Sequence, residues 1–299
     1  MAGNLRQGSE VIISSHTMIA TASAIHFAGG IPVPVEAGLD LMIDPDAIED
    51  AINENTSAIM PTQLNGRTCD MDRIKNLAEK YSLDIYEDAA QALGSKFKGK
   101  SAGTFGIASA ISLYPAKLLG CLGDGGIVLT DDDQVYKKLC LLRDHGRDPE
   151  TGEVSAWGLN TRLDNLQAAF LNFLFSDYAN VINRRRYVAS LYDAGLSSIE
   201  ELKLPIPPNE GEHFDVFQNY EIQALQRDEL KAFMQKRGIG SLVQWSGKAV
   251  HQFDKLRFSE VLPKTDDLFS KILMIPLNMS ITDEEVSFVI KTIKEFYSG

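Results

Sequence analysis

In the first half of the chain, short apolar runs alternate with stretches of helical period. Candidate strands lie at Glu10–Ile13, Ile31–Val35, Ser57–Pro61, Leu83–Glu87, Ala108–Leu113 and Gly126–Thr130. They are rich in Ile, Val and Ala, and read as buried on both faces, as in a parallel sheet. Helical patterns fall at 17–28, 45–53, 70–81 and 132–144. Asp44-Pro45 reads as an N-cap followed by proline in the first helical turn. This alternation predicts an α/β fold.

A long helical stretch begins near Arg162, with apolar residues at three- and four-residue spacing (Leu163, Leu166, Ala169, Phe170, Phe173). Its middle, FLNFLF, is apolar nearly all round, which predicts burial between domains or subunits. Arg184, Arg185 and Arg186 read as a solvated helix face rather than an anion patch. Pro205, Pro207 and Pro208 mark a boundary loop. Beyond it a smaller α/β unit is expected, with strands near Gln218–Ala224 and Gly240–Gln244 and helices near Arg227–Arg237 and Asp283–Tyr297. The expected division is 1–195 and 196–299.

Composition narrows the partners. The 299 residues carry a net charge of −12, which argues against nucleic acid as the main partner. A local set of N–H groups and single cations still permits an anionic ligand. The three cysteines, Cys69, Cys121 and Cys140, lack metal-ligand spacing and suit a reducing compartment. No apolar run approaches the roughly 20 residues of a membrane span, and MAGNLRQGSE has no apolar leader core, so the cytoplasm is the default. Neither G-x-x-x-x-G-K-[ST] nor a strand-linked G-x-G-x-x-G is present.

Two segments can carry chemistry. In LDIYEDAAQ a strand ends in Glu87 and Asp88, where ligands of open α/β sheets bind. A carboxylate there can hold a proton on a pyridine nitrogen and so make the ring an electron sink. Read alone, Asp88 fits a helix cap better. In SLYPAKLLG a strand ends and one lysine, Lys117, lies in the loop. Such a lysine can condense with a carbonyl cofactor if its pKa is lowered, although most lysines are surface residues. The following GDGG is a turn before the next strand, or a phosphate cradle.

Taken together, EDAAQALGSKFKGKSAGTFGIASAISLYPAKLLGCLGDGGIVLTDD resembles the sugar-nucleotide aminotransferases of the DegT/StrS type. GSEVIISSHTMIATASAIHFAGGIPVPVE, MPTQLNGRTCDMDRI, LLRDHGR and GLNTRLDNLQAA resemble further family segments in the same order, so the likeness extends over nearly the whole chain. The resemblance implies the type I pyridoxal-phosphate-dependent fold: a large domain with a mostly parallel mixed sheet, then a smaller C-terminal α/β domain. It implies Lys117 as the Schiff-base lysine and proton shuttle, and Asp88 on the cofactor ring nitrogen. Gln91 would bond the phenolic oxygen, on one helical face with Asp88. Ser112 would bond the phosphate, and Asn160 would reach that phosphate from a neighbouring subunit of a homodimer. Without the resemblance, Ser112 is a buried strand hydroxyl and Asn160 a helix cap.

His251 resembles a histidine near the substrate, with a surface or interdomain position as its other reading. His145 reads as structural. Trp157 and Trp245 read as packing residues that could also meet substrate. The family's aromatic ring over the cofactor falls at Met18, a soft side chain that covers a ring differently, with His16 as a possible contributor. Relative to the family the chain is expected to lack an N-terminal segment with a phosphate-binding turn.

The expected reaction passes an amino group from L-glutamate, or glutamine, to a keto-sugar linked to a nucleoside diphosphate. Alternatives are a cyclitol aminotransferase, or a non-catalytic regulatory member or fragment of the same fold. A sugar dehydratase on this fold would carry His in place of Lys117. No metal is expected.

Overall fold

The computed structural model describes residues 1–3, 5–207 and 211–299, so Pro208 of the expected boundary loop lies outside the described residues. Strand β1 (Glu10–Ser14) shows how the first half is built. Alternate side chains of a strand point to opposite faces. Ile12 enters a core with Val35, Ile48, Ile59, Ile74 and Ile85, while Val11 and Ile13 enter another with Ala22, Ile25 and Ala58. Both sets are buried because helices cover both faces, as the apolar runs predict.

The chain continues through α1 (Ile19–Phe27), β2 (Ile31–Val35), α2 (Pro45–Ala51), β3 (Thr56–Met60), α3 (Met71–Tyr81) and β4 (Asp84–Asp88). After the short pair β5 (Lys96–Phe97) and β6 (Lys100–Ser101) come β7 (Ala108–Ser112), β8 (Gly126–Leu129) and α4 (Asp133–Arg143). The six-stranded sheet has the order β2-β1-β3-β4-β7-β8. All its pairs are parallel except β7–β8, which is antiparallel. Asp44 caps α2 by accepting from the Asp46 N–H at 3.0 Å. At the β2 edge, Pro32 and Pro34 alternate with Ile31, whose N–H donates inward to Ser9. At the other edge the expectation of burial fails: Ile127 and Val128 are exposed, because nothing among the described residues covers β8.

The long helical stretch divides into α5 (Asn165–Phe175) and α6 (Tyr178–Leu196). The break falls at Ser176-Asp177, where the Ser176 hydroxyl turns back onto the Phe173 carbonyl and Asp177 leaves helical geometry. Within the chain Leu166, Phe173 and Phe175 of α5 face outward rather than between domains. The arginines of α6 also depart from expectation. Arg185 and Arg186 are buried, and their guanidinium groups donate to backbone carbonyls of Asp215, Phe217 and Gln218.

The remaining elements are β9 (Leu202–Lys203), β10 (His213–Phe214), β11 (Tyr220–Ala224), α7 (Arg227–Lys236), α8 (Pro263–Lys271), β12 (Ile272–Ile275) and α9 (Asp283–Tyr297). Strands β12-β11-β9 form a second sheet, and β10 pairs with β5. Val188, Ala189, Tyr192 and Leu196 of α6 pack into the core of this C-terminal unit. No strand forms at Gly240–Gln244. Leu242 alone bridges to Met274, and Trp245 and Ser246 adopt left-handed conformations that turn the chain away.

Candidate active site

The C-terminal ends of β1, β3, β4 and β7 lie side by side. β1 sits between β2 and β3, so the strand order reverses there, and such a reversal opens a crevice above the strand ends. Thr17 follows β1, Thr62 follows β3, and Asp88 ends β4. Their hydroxyls make a continuous chain. Thr17 Oγ1 lies 2.8 Å from both Thr62 Oγ1 and Thr21 Oγ1, and Thr21 donates to Asp88 Oδ2 at 2.6 Å. The other carboxylate oxygen, Oδ1, accepts the Ala90 N–H at 3.1 Å. Asp88 therefore caps a turn with one oxygen and ends the threonine chain with the other.

Glu87, its neighbour, is on the opposite face of β4 and is saturated. Oε2 accepts from Gln63 Nε2 and the Gly103 N–H, both at 2.8 Å. Oε1 accepts the Phe105 and Gly106 N–H groups at 2.5 and 3.1 Å. This carboxylate holds the 103–106 loop to the sheet and has no oxygen left for a ligand.

Lys117 lies in the loop that follows β7, and its N–H donates to the Tyr114 carbonyl. Burial pushes its ammonium below the ordinary lysine range, and the nearby Asp88 carboxylate partly offsets this. Ser112 ends β7, two residues beyond the Ala110 that pairs with Asp88, and its hydroxyl accepts the Tyr114 N–H at 3.3 Å. Gly126 pairs with Ser112, so GDGG leads directly into β8.

Gln91 is near Asp88, although in a turn (the Ala92 N–H donates to the Ala89 carbonyl) rather than on the helical face expected. Its Oε1 accepts the Asn65 N–H at 2.8 Å and faces Asn219 Nδ2 at 3.4 Å. A backbone donor can only be met by the amide oxygen, which leaves the Gln91 NH₂ as the group available to a ligand. Behind it, Asn65, Gln244 and Glu221 close a buried network with contacts of 2.8–2.9 Å. Burial raises the Glu221 pKa, but His16, Gln244 and Asn65 outweigh it and hold the carboxyl below its ordinary value. A cleft of about 350 Å³ shares Asn65, Asn219 and Glu221 with this network; neither Lys117 nor Asp88 lines it.

The other sequence candidates are spread around this centre. Met18 is exposed at the start of α1, one turn before Thr21. His16 is consumed by the core: Nδ1 contacts the Leu41 carbonyl at 3.0 Å, Nε2 faces Glu221 at 3.3 Å, and Trp245 and Phe269 pack edge-on to the ring. Both nitrogens of His251 are engaged, Nδ1 with Ser15 Oγ at 2.7 Å and Nε2 with Asp266 at 2.9 Å. This Ser-His-Asp array is not a hydrolase site, since Ser15 is fully buried. Asn160 is exposed, holds Arg162 Nε at 3.1 Å, and makes no hydrogen bond to the Asp88–Lys117 group within the chain. His145 is exposed at a left-handed turn, and Trp157 is almost wholly exposed. Sequence reading missed the threonine chain, although Thr17 and Thr21 stand four residues apart beside Met18, and it missed Gln218 and Asn219.

An α/β sheet with a half-buried lysine and a carboxylate at adjacent strand ends is the arrangement of a pyridoxal-phosphate-dependent enzyme of the type I aminotransferase fold. The residues fit that cofactor. Lys117 can present a neutral amine, Asp88 a carboxylate, Gln91 an NH₂ donor and Ser112 a hydroxyl. Over residues 1–294 the chain matches the DegT/DnrJ/EryC1/StrS aminotransferase family, and it belongs to that family of pyridoxal-phosphate-dependent transaminases. It is 35% identical over 300 residues to a "pleiotropic regulatory protein" of Geobacillus stearothermophilus, covering 99% of this chain and 80% of that one. It is 34% identical over 294 residues to a UDP-N-acetyl-3-dehydro-alpha-D-glucosamine 3-aminotransferase of Acidithiobacillus ferrooxidans, covering 98% and 79%. The crystal structure of S. venezuelae DesV in complex with a ketimine intermediate superposes with a TM-score of 0.94 at 32% identity, over 100% of this chain and 81% of that one. Among the described residues no helix is long and apolar enough to cross a membrane.

Proposed function

We propose that this aminotransferase moves an amino group from L-glutamate, or glutamine, to a keto-sugar carried on a nucleoside diphosphate. The observation that carries the reading is the placement of Lys117, in the loop after β7, near the Asp88 carboxylate at the end of the neighbouring strand, with burial weakening the lysine's ammonium form. Sugar aminotransferases among the relatives support the substrate class.

Pyridoxal phosphate supplies, when bound, a carbonyl for amines and a ring that takes up negative charge. Lys117 Nζ would hold the cofactor and would carry the proton that the substrate carbon gives up. Asp88, steadied by Thr21, keeps the ring nitrogen protonated. The Gln91 NH₂ would donate to the phenolic oxygen, and the Ser112 hydroxyl would bond the phosphate. Met18 would cover the ring, and His251, both of whose nitrogens are engaged within the chain, and Trp245, packed on His16, would bound the sugar by shape alone.

Asn160, exposed and away from the centre in its own chain, serves a second copy in a homodimer. The outward apolar residues of α5 support that assembly. Residues 1–195 act as the cofactor domain and 196–299 as the smaller domain, in the cytoplasm. A regulatory, non-catalytic reading has the names of two relatives in its favour, and the complete Asp88, Gln91, Ser112 and Lys117 set against it.

The test is the absorbance of the purified chain with added pyridoxal phosphate, beside Lys117→Ala. A lysine-bound cofactor band in the parent, absent from the variant and bleached by L-glutamate, is expected. A band that survives in Lys117→Ala, or no band in either, would overturn the assignment.

A further inference from the structure

Gln218 stands at the entrance to β11, far from Lys117 in sequence. Its side-chain amide nevertheless grips both peptide groups that flank that lysine. Oε1 accepts the Leu118 N–H at 2.9 Å, and Nε2 donates to the Ala116 carbonyl at 2.9 Å. The two bonds straddle Lys117 and fix the direction in which its side chain leaves the loop.

The clamp is itself held firmly. Gln218 is only 7% exposed. Its backbone carbonyl accepts Arg185 Nη1 at 3.0 Å, and the Phe217 carbonyl accepts the same nitrogen at 2.9 Å. On its other side lies Gly66, whose bare Cα lets the Phe217–Gln218 backbone approach: a Cβ there would fall 2.6 Å from both nitrogens. The next residue, Asn219, faces Gln91 and Asn65. A guanidinium on α6, one strand entrance and the lysine loop thus form a single rigid series.

We propose that Gln218 is the positioning residue of Lys117, setting the lysine amine in register with the crevice from the C-terminal unit. The proposal rests on the reading of Lys117 as the reacting lysine. Orientation of a reacting group acts on rate, whereas a purely structural amide would act on stability alone.

The test uses the whole chain. Pyridoxal phosphate is added, the imine is trapped with borohydride, and the rate of label on Lys117 is followed by peptide mass spectrometry. Exchange of the Leu118 amide is followed in parallel without cofactor. Gln218→Met keeps the volume and removes both bonds. It is expected to label Lys117 about tenfold more slowly, and to exchange Leu118 about tenfold faster, while still melting cooperatively. Gln218→Glu keeps the acceptor for Leu118 and loses the donor to Ala116. It is expected to keep most of the Leu118 protection and to label about threefold more slowly, and it carries the test if the methionine variant does not fold. Labelling at the parental rate in whichever variants fold would overturn the proposal and leave Lys117 as the reacting lysine. Absence of label on Lys117 in the parent would instead overturn the reading beneath it.

Discussion

Asp88 and Glu87 are adjacent carboxylates whose removal should have opposite effects. In Glu87→Gln one oxygen becomes an NH₂ that confronts two N–H donors. Those are either the Gln63 and Gly103 pair or the Phe105 and Gly106 pair. Each buried donor left without an acceptor costs about 1–3 kcal/mol, so the substitution is expected to remove about 4 kcal/mol. That is a large part of the roughly 5–15 kcal/mol that holds a typical domain folded. Asp88→Asn leaves Oδ1 to accept the Ala90 N–H. Its new NH₂ meets Thr21 Oγ1, which can become an acceptor because the hydroxyls of Thr21, Thr17 and Thr62 can reverse their donor directions together. A loss under about 1 kcal/mol is expected. Urea unfolding of both variants, followed by circular dichroism with matched slopes, measures the difference, and cofactor absorbance shows which variant has lost ring-nitrogen protonation. Equal losses of stability, or a larger loss in Asp88→Asn, would refute the division of labour between the two faces of β4.

Two further outcomes follow from the same geometry. Because burial lowers the Lys117 pKa, the unfolded chain binds more protons between the folded and unfolded values, and stability rises with pH across that window. Lys117→Met is therefore expected to melt higher than the parent below the depressed value. The advantage should shrink as pH climbs toward the ordinary lysine value of about 10.4, and a pH-independent difference would contradict this. Gly66→Ala sets a Cβ on a residue at φ +88° and drives it into the Phe217–Gln218 backbone. It should cost at least about 1–2 kcal/mol from the left-handed conformation alone, and a melting temperature equal to that of the parent would show that this approach is not tight.

The strands of the first half were legible because each apolar run is bounded by polar or turn residues; β1 and β3 are buried nearly throughout as such runs imply, β4 and β7 only at alternate positions, and the edge strand β2 only at its end. Asp88 ends one strand and Lys117 lies just past another, but the pattern alone suggested a cap and a surface lysine, and only the family resemblance singled them out. What was hidden depends on distant partners. Arg185 and Arg186 look solvated because their acceptors, the carbonyls of Asp215, Phe217 and Gln218, lie on another element. Strand β12 follows α8 without a break, so no turn residue marks where its four apolar residues begin. Gly240–Gln244 has the composition of a strand but finds one bridge and then two left-handed residues. Gln218 looks like the first polar position of a strand, and only the fold brings it to the peptides beside Lys117.

The prolines of β2 bear on how copies of the chain meet. In that strand Ile31 turns its N–H toward β1, so the intervening positions, occupied by Pro32 and Pro34, face outward with no hydrogen to offer. An incoming strand would find carbonyls and no row of donors, which blocks the edge-to-edge zippering that an exposed flank invites. The opposite flank, β8, carries Gly-Ile-Val-Leu and no proline. Of the two flanks of this sheet, only that one keeps the donors to template a further strand.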